Sequence, residues 1–156
     1  MRKIYLLVVL LAAILASCST TQMVRPNIQY AVVIQDSFDR VWGPVVATLA
    51  EMALPIESIE KESGLVSTKF VTFASGILAQ KEIDRIFQRP SVFLGTWSQG
   101  RYTLSIFVTS SGENTTKIKI TTHIEAFEDN VTKSWHICYS KGVIEKQIFD
   151  SVRSKI

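Results

Sequence analysis

Residues 102–126 read YTLSIFVTSSGENTTKIKITTHIEA, and this stretch decides the fold. Apolar side chains occupy most even positions on both sides of the polar segment 110–114, and mostly polar side chains occupy the odd positions. Because consecutive side chains of a strand point to opposite faces of a sheet, the alternation predicts two strands with one buried face and one wet face. The polar segment contains glycine and predicts the turn of an antiparallel hairpin.

The residues before this hairpin predict a strand and then a helix. Apolar residues at alternate positions predict a first strand over residues 28–34. Residues 36–39, Asp-Ser-Phe-Asp, are typical of a helix start, because short oxygen-bearing side chains can accept the free amide hydrogens of the first turn. Apolar positions three or four apart then form one stripe: Phe38, Val41, Trp42, Val45, Leu49 and Met52. Pro44 lies inside this stripe, so the helix either begins near Arg40 or is kinked at the proline.

A second hairpin is predicted after Pro55. Its strands are expected at residues 56–60 and 65–73, with residues 62–64 as the turn. Gly64 is expected to supply the left-handed backbone conformation that such a turn requires.

Residues 74–99 have the weakest pattern. Apolar and charged residues between 78 and 87 predict a short amphipathic helix, and residues 90–100 predict an irregular loop. This loop contains Phe93, Leu94 and Trp97, and exposed aromatic side chains are typical anchors of interfaces. We therefore expect the loop to cover the sheet, touch a membrane or contact a partner, with Phe93, Leu94 and Trp97 as the candidate interaction surface.

The chain is expected to close with a strand near residues 135–139 and a helix that begins near Val143. The predicted order is β-α-β-β-(α or loop)-β-β-β-α. Since hairpins dominate this order, we predict an α+β fold, in which an antiparallel sheet is packed by helices on one face. Residues 28–156 are expected to form a single globular domain.

The N-terminus predicts export and lipid attachment. Residues 1–17 combine a basic start, an apolar run too short to span a bilayer, and small residues at the end, as a signal peptide does. Residues 15–18, Leu-Ala-Ser-Cys, resemble the lipobox of bacterial lipoproteins. The resemblance implies that Cys18 is the first mature residue and carries the lipid, with residues 18–27 as a short tether. The alternatives are an ordinary cleaved signal with a chance cysteine beside the cut, or an uncleaved anchor.

The lipoprotein resemblance also implies a location. In bacteria with two membranes, aspartate after the lipidated cysteine commonly retains a lipoprotein in the inner membrane, and this chain has Ser19. The periplasmic face of the outer membrane is therefore expected. In a Gram-positive source the same anchor would place the protein outside the plasma membrane.

Charge and cysteine content narrow the possible functions. Without residues 1–17 the chain keeps 15 Lys and Arg against 14 Asp and Glu, which argues against a nucleic-acid binder. His136 and Cys138 should share one strand face, but a metal site needs three or four ligands and the only other histidine is His123. No metal, cofactor or catalytic group is expected. Cys138 is expected to be a buried lone thiol, with a reactive or intermolecular thiol as the alternative.

The order of motifs over residues 28–73 resembles the helix-grip domain of the BamC lipoproteins. The resemblance rests on residues 36–46, DSFDRVWGPVV, and on residues 59–66, IEKESGLV, with its acidic turn and Gly64. BamC proteins belong to the machinery that assembles outer-membrane β-barrels, and their domains wrap an antiparallel sheet around helices. This chain departs from them, because it has one such domain and a short tether where they have two domains and a long segment after the lipid.

The sequence thus favours two functions. The first is a non-enzymatic membrane-anchored lipoprotein that acts as an accessory or scaffold for an envelope protein or complex. The second is a binding module for a lipid or other apolar ligand, held in a cavity between the long helix and the curved sheet.

Overall fold

A long antiparallel hairpin forms the middle of the structure, as the alternation over residues 102–126 predicts. The computed structural model describes residues 30–156. The predicted signal peptide, Cys18 and the tether lie outside these described residues. The helices and strands in chain order are β1 (Tyr30–Ile34), α1 (Phe38–Glu51), β2 (Ile56–Glu60), β3 (Leu65–Thr68), β4 (Val71–Ser75), α2 (Ala79–Ile86), β5 (Phe87–Gln88), β6 (Trp97–Gly112), β7 (Thr115–Glu128), β8 (Ser134–Ser140) and α3 (Val143–Arg153).

Strands β6 and β7 form this hairpin. Val108 pairs with Ile118 and Tyr102 with Ile124, so that the even positions of both strands lie on the same face. That face is buried, as the alternation requires. Both strands are longer than predicted. A register shift between residues 110 and 112 lets most of the expected turn join β6, and at the other end the pairing continues to Trp97 and Glu128.

The hairpin is extended on both sides into one sheet. Its strands run in the order β2-β3-β6-β7-β8-β5, with β1 also paired to β7 and β4 also paired to β6. Each pairing between the described strands is antiparallel. The described residues therefore form an α+β fold with a mostly antiparallel sheet and three helices.

The helices pack on the buried face of the sheet. Helix α1 contacts β6, β7 and α3, and α3 also contacts β7. Helix α2 lies over β6, where a Cβ added to Gly100 would come within 3.0 Å of the Ile83 side chain. The core between these layers contains fully buried aliphatic side chains from both: Val41, Val45, Leu49, Ile83, Leu104, Ile106, Ile118, Ile120 and Ile148.

Helix α1 begins earlier than one of the two sequence interpretations allowed. It starts at Phe38 and contains Pro44 in its interior, so a start near Arg40 is wrong. Ser37 precedes the helix in an extended conformation, but its side chain makes no capping hydrogen bond. Instead the Asp36 carboxylate accepts a hydrogen bond from the Ser37 amide at 2.8 Å.

The strand predicted over residues 65–73 is two strands. Both β3 and β4 pair with β6, but Ser67 lies opposite Ser105 while Val71 lies opposite Tyr102. Four steps along this chain thus match three steps along β6, and an extra residue of this kind breaks the ladder as a bulge does. The Lys69 amide turns away to the Pro55 carbonyl at 2.9 Å, and Phe70 is left exposed.

The predicted loop 90–100 is shorter in the structure. Residues 89–96 form the connection, and Trp97 is the first residue of β6 with only 3% of its surface exposed. Two short features were not predicted. These are the two-residue strand β5, which pairs with β8, and the separation of β4 from β3. The observed order is therefore β-α-β-β-β-α-β-β-β-β-α.

Candidate interaction surface

The face of the sheet opposite the helices carries a cluster of rings around one arginine. The guanidinium carbon of Arg101 lies 3.8 Å from the ring centre of Trp135 and 4.1 Å from that of Phe70. Arg101 projects from the middle strand β6, Trp135 from β8, and Phe70 from the bulge between β3 and β4. Because cations are attracted to the faces of aromatic rings, this sandwich fixes the arginine on the sheet. We call Phe70, Arg101 and Trp135 the arginine sandwich.

The carboxylate of Glu125 pairs with the Arg101 guanidinium. Glu125 lies opposite Arg101 in the hairpin register, and its Oε2 accepts from the arginine Nε at 2.8 Å and lies 2.7 Å from Nη2. Its other oxygen lies 3.1 Å from Nε2 of His123. Burial would raise the pKa of Glu125, but the hydrogen bonds and charges of Arg101 and His123 lower the pKa below its ordinary value. Glu125 therefore orients the arginine, while Phe70 remains exposed and Trp135 is partly exposed.

Exposed apolar side chains continue this surface. Ile137 on β8 lies opposite Glu125 and is 59% exposed, and the Phe127 ring packs edge-on against Trp135. Aromatic and arginine side chains on an exposed face are the residue types enriched at protein interfaces. Phe70 and Arg101 were not among the residues predicted from the sequence, because Phe70 lies in a loosely alternating segment and Arg101 lies just before the predicted hairpin strand.

The predicted interaction surface of Phe93, Leu94 and Trp97 is divided by the structure. Phe93 and Leu94 project from the connection 89–96 and are exposed. Trp97 is in the core, where its ring meets His136 edge-on at 5.4 Å and Arg89 lies 5.4 Å from its centre. Trp97 is therefore not part of the exposed surface, because the strand pattern of β6 extends back to include it.

A buried carboxylate ties this connection to the next loop. Glu128 ends β7 and is fully buried, and it accepts hydrogen bonds from the amides of Asn130, Val131 and Thr132 and from the amide of Thr96. Burial would raise the pKa of Glu128, but the bonds from the 130–132 loop hold this pKa far below its ordinary range. The carboxylate thus joins the connection 89–96 to the loop that follows β7.

The histidines and the cysteine do not form one site. His123 lies on the outer face beside Phe70, while Cys138 is buried on the helix-covered face, with its Sγ 3.6 Å from the His136 carbonyl oxygen. The prediction that Cys138 is buried is confirmed. Burial raises the pKa of its thiol to about 12, so the reactive thiolate is scarce at neutral pH. Within residues 30–156, no group of three or more His, Cys, Asp or Glu side chains is placed to hold a metal ion.

A cleft opens between the edge strand β1 and helix α3. It has a volume of about 430 Å³ and is lined by apolar side chains that include Val32, Ile34, Phe149 and Ile156, with Arg153 as its charged residue. An apolar cleft with one cationic side chain suits an apolar ligand that carries a negative charge.

No protein-family model matches the chain, and no curated protein matches it. Across residues 30–156, none of the helices combines the length and apolar character needed to cross a membrane.

Proposed function

We propose that this protein is a non-enzymatic lipoprotein of the cell envelope, in which the folded domain acts as an accessory or scaffold for another envelope protein. The observation that carries the proposal is the arginine sandwich on the open face of the sheet. Attachment through Cys18 to the periplasmic face of the outer membrane is part of the proposal, and the signal and lipobox pattern support it.

The open face supports a protein partner for energetic reasons. An arginine already stacked and paired loses little conformational freedom when a partner covers it, so its contacts add to affinity. The half-exposed Phe70 and Ile137 beside it offer apolar area for burial. Residues of these types, placed in the centre of a patch, typically dominate the binding energy of an interface.

Site-specific crosslinking in intact cells tests this proposal. A photo-crosslinking amino acid at Ile137, on the open face, should give a discrete adduct with an envelope protein. The matched control is the same amino acid at Val143, which is also exposed but begins α3 on the helix side. Loss of the adduct on Arg101→Ala, with unchanged protein level, is expected. An absence of adducts at 137, or identical adducts at 137 and 143, would contradict a partner on this face.

The Cys18 anchor has its own test. Mass spectrometry of the protein purified from membranes should find the acylated N-terminal peptide beginning at Cys18. Cys18→Ala should move the protein out of the membrane fraction. Detection of an unmodified peptide that spans residues 17 and 18 in membrane-bound protein would contradict lipid attachment.

The cleft between β1 and α3 supports a second candidate function, the binding of an apolar ligand. The sequence placed such a cavity between the long helix and the sheet, but α1 directs fully buried side chains into that space. The cleft beside Phe149 and Arg153 is open instead. Native mass spectrometry of the delipidated protein should then show a retained small molecule that is lost on Phe149→Ser. Protein recovered without any adduct from its native host would argue against this candidate.

A further inference from the structure

Three loops meet at one end of the sheet, and each ends in exposed apolar side chains. These loops are residues 76–78 after β4, residues 89–96 before β6, and residues 129–133 after β7. The strand register brings them together, since Ser75 lies opposite Gln99 and Trp97 lies opposite Glu128. We call their exposed apolar residues the apolar tip: Ile77, Leu78, Phe93, Leu94 and Val131.

Hydrogen bonds join the three loops into one end of the molecule. The Gly76 amide donates to the Ser98 carbonyl at 3.0 Å, which fixes the first loop beside the start of β6. The Asn130 side-chain amide donates to the Leu94 carbonyl at 2.7 Å, which joins the second loop to the third. Glu128 adds its bonds to Thr96 and to the 130–132 amides. The apolar side chains are therefore carried by an ordered base.

Four of the five tip side chains are the most exposed large apolar groups of the described residues. Ile77 is 101% exposed, Phe93 85%, Leu94 73% and Leu78 70%, and Val131 is half-exposed. Single exposed apolar side chains are common on protein surfaces. Four of the most exposed ones at the same end of a molecule are not, and such a patch indicates a binding surface. Ile77 and Leu78 form one adjacent exposed pair, and Phe93 and Leu94 form another. Exposed apolar side chains of this kind can enter the interfacial layer of a bilayer.

The backbone conformation of Leu94 is unusual for a residue with a large side chain. Leu94 has a φ of 58°, a conformation in which glycine or asparagine is favoured and a bulky side chain is strained. The leucine held there is 73% exposed, so a large apolar group faces solvent in the connection. Strained residues of this kind concentrate at functional positions.

The first described residue, Tyr30, lies at the end of β1 that is nearer to the apolar tip. Strand β1 is antiparallel to β7, and its first residue, Tyr30, lies opposite Ile120, nearer to the tip than Ile34 does. The level of Ile120 is eight residues, or about 26 Å, from the end of β7 at Glu128. Tyr30 is twelve positions after Cys18, and twelve fully extended steps of the chain reach about 40 Å. A lipid on Cys18 and the apolar tip can therefore contact the same bilayer.

Basic side chains lie next to the tip in the chain. Lys81 follows Leu78 by three residues and Lys133 follows Val131 by two, and both are exposed. Anionic headgroups at a bilayer surface attract such side chains while apolar groups enter the interface.

We propose that the apolar tip inserts into the interfacial layer of the membrane to which Cys18 is attached, and thereby orients the domain. The proposal rests on lipid attachment at Cys18 and goes beyond the protein-partner function, because the ligand of the tip is the bilayer itself. The open sheet face with the arginine sandwich then stands at an angle to the membrane and remains free for a partner.

Depth-dependent fluorescence quenching tests the insertion. The full chain, purified with its lipid, carries an environment-sensitive label at Phe93→Cys and is reconstituted in vesicles of phosphatidylethanolamine and phosphatidylglycerol. The label reacts only with the introduced cysteine, because Cys138 is buried and the sulfur of a lipidated Cys18 is an unreactive thioether. The matched control is Asn114→Cys, in the hairpin turn at the opposite end of the sheet.

Nitroxide lipids should quench the label at 93 several-fold more than the label at 114. Adding Ile77→Ser and Leu94→Ser should reduce quenching at 93, with an unchanged circular dichroism spectrum. Equal, weak quenching at both positions in protein shown by mass spectrometry to carry lipid would overturn the proposal. If Cys18 carries no lipid, the anchor is wrong, and the same comparison with Cys18→Ala protein added to preformed vesicles decides whether the tip inserts.

Discussion

Arg101 and Trp135 contact each other across the intervening strand β7, with the guanidinium carbon 3.8 Å from the ring centre. Neither residue is on a neighbouring strand of the other, since β7 lies between β6 and β8. The contact exists because Glu125 on β7 holds the arginine head over its own strand. This relationship makes the outer face an ordered surface.

Arg101→Lys should destabilise the domain by about 1 kcal/mol, because an ammonium group cannot stack on both rings and pair with Glu125 at once. Urea unfolding followed by circular dichroism measures the change. Lys117→Ala, on the same face, is the control and should change the unfolding free energy by less than about 0.5 kcal/mol. Equal effects of the two substitutions would show that the sandwich contributes nothing specific.

Glu128→Gln should lower the free energy of unfolding at pH 7, since a neutral amide oxygen is a weaker acceptor for the loop amides. The folded pKa of Glu128 lies below its ordinary value of 4.5, so its ionised form stabilises the fold above that pH. This stabilisation is lost as the pH falls from about 5 towards the depressed pKa. The difference between wild type and variant in urea unfolding should therefore shrink as the pH is lowered, and a difference independent of pH would contradict this role.

Gly64→Ala should strongly destabilise the domain. Gly64 has a φ of +68°, and an added Cβ would lie 2.0 Å from the Val108 carbonyl oxygen. The Val108 amide also donates a hydrogen bond to the Gly64 carbonyl, which holds the two backbones close together. Gly76→Ala is a matched control, because its φ is +77° but nothing lies within 4 Å of the added Cβ. The control should cost only the backbone conformation, roughly 1–2 kcal/mol, and Gly64→Ala clearly more. Similar melting temperatures of the two variants would exclude the predicted steric clash.

Cys138 should resist thiol reagents in the folded protein. Its side chain is buried and its pKa is raised to about 12, so both access and thiolate formation are suppressed. With Cys18 replaced by alanine, Ellman's reagent at pH 8 should react slowly with native protein and at once after unfolding in urea. Rapid reaction of the native protein would indicate that Cys138 is accessible.

The strands with regular alternation were predictable from the sequence. The hairpin over residues 102–126, the strand at 56–60, the left-handed Gly64 and the terminal helix are all present. Their patterns are local, since each depends on side chains two to four positions apart. The amphipathic helix at Ala79–Ile86 was predictable for the same reason.

The errors occurred where distant residues determine the local structure. Residues 65–73 alternate loosely, and the break at Lys69 follows from its bond to Pro55 and from the register with β6. Trp97 looked like a loop residue because residues 90–96 are irregular, but pairing with Glu128 draws it into the sheet. The start of α1 at Phe38 despite Pro44 reflects burial of its apolar stripe against the sheet, which exceeds the cost of the proline.

The sequence by itself determined the α+β class, the central hairpin and its buried face, because side-chain periodicity alone states which positions avoid water. It also carries a segment that resembles a signal peptide and lipobox, which lies outside the described residues. Only the tertiary structure decided that Arg101 meets Phe70 and Trp135, and that Ile77, Leu78, Phe93, Leu94 and Val131 share one end of the molecule. These groups come from separate segments, and their meeting depends on strand register and on loop hydrogen bonds such as those of Glu128, which no local pattern specifies.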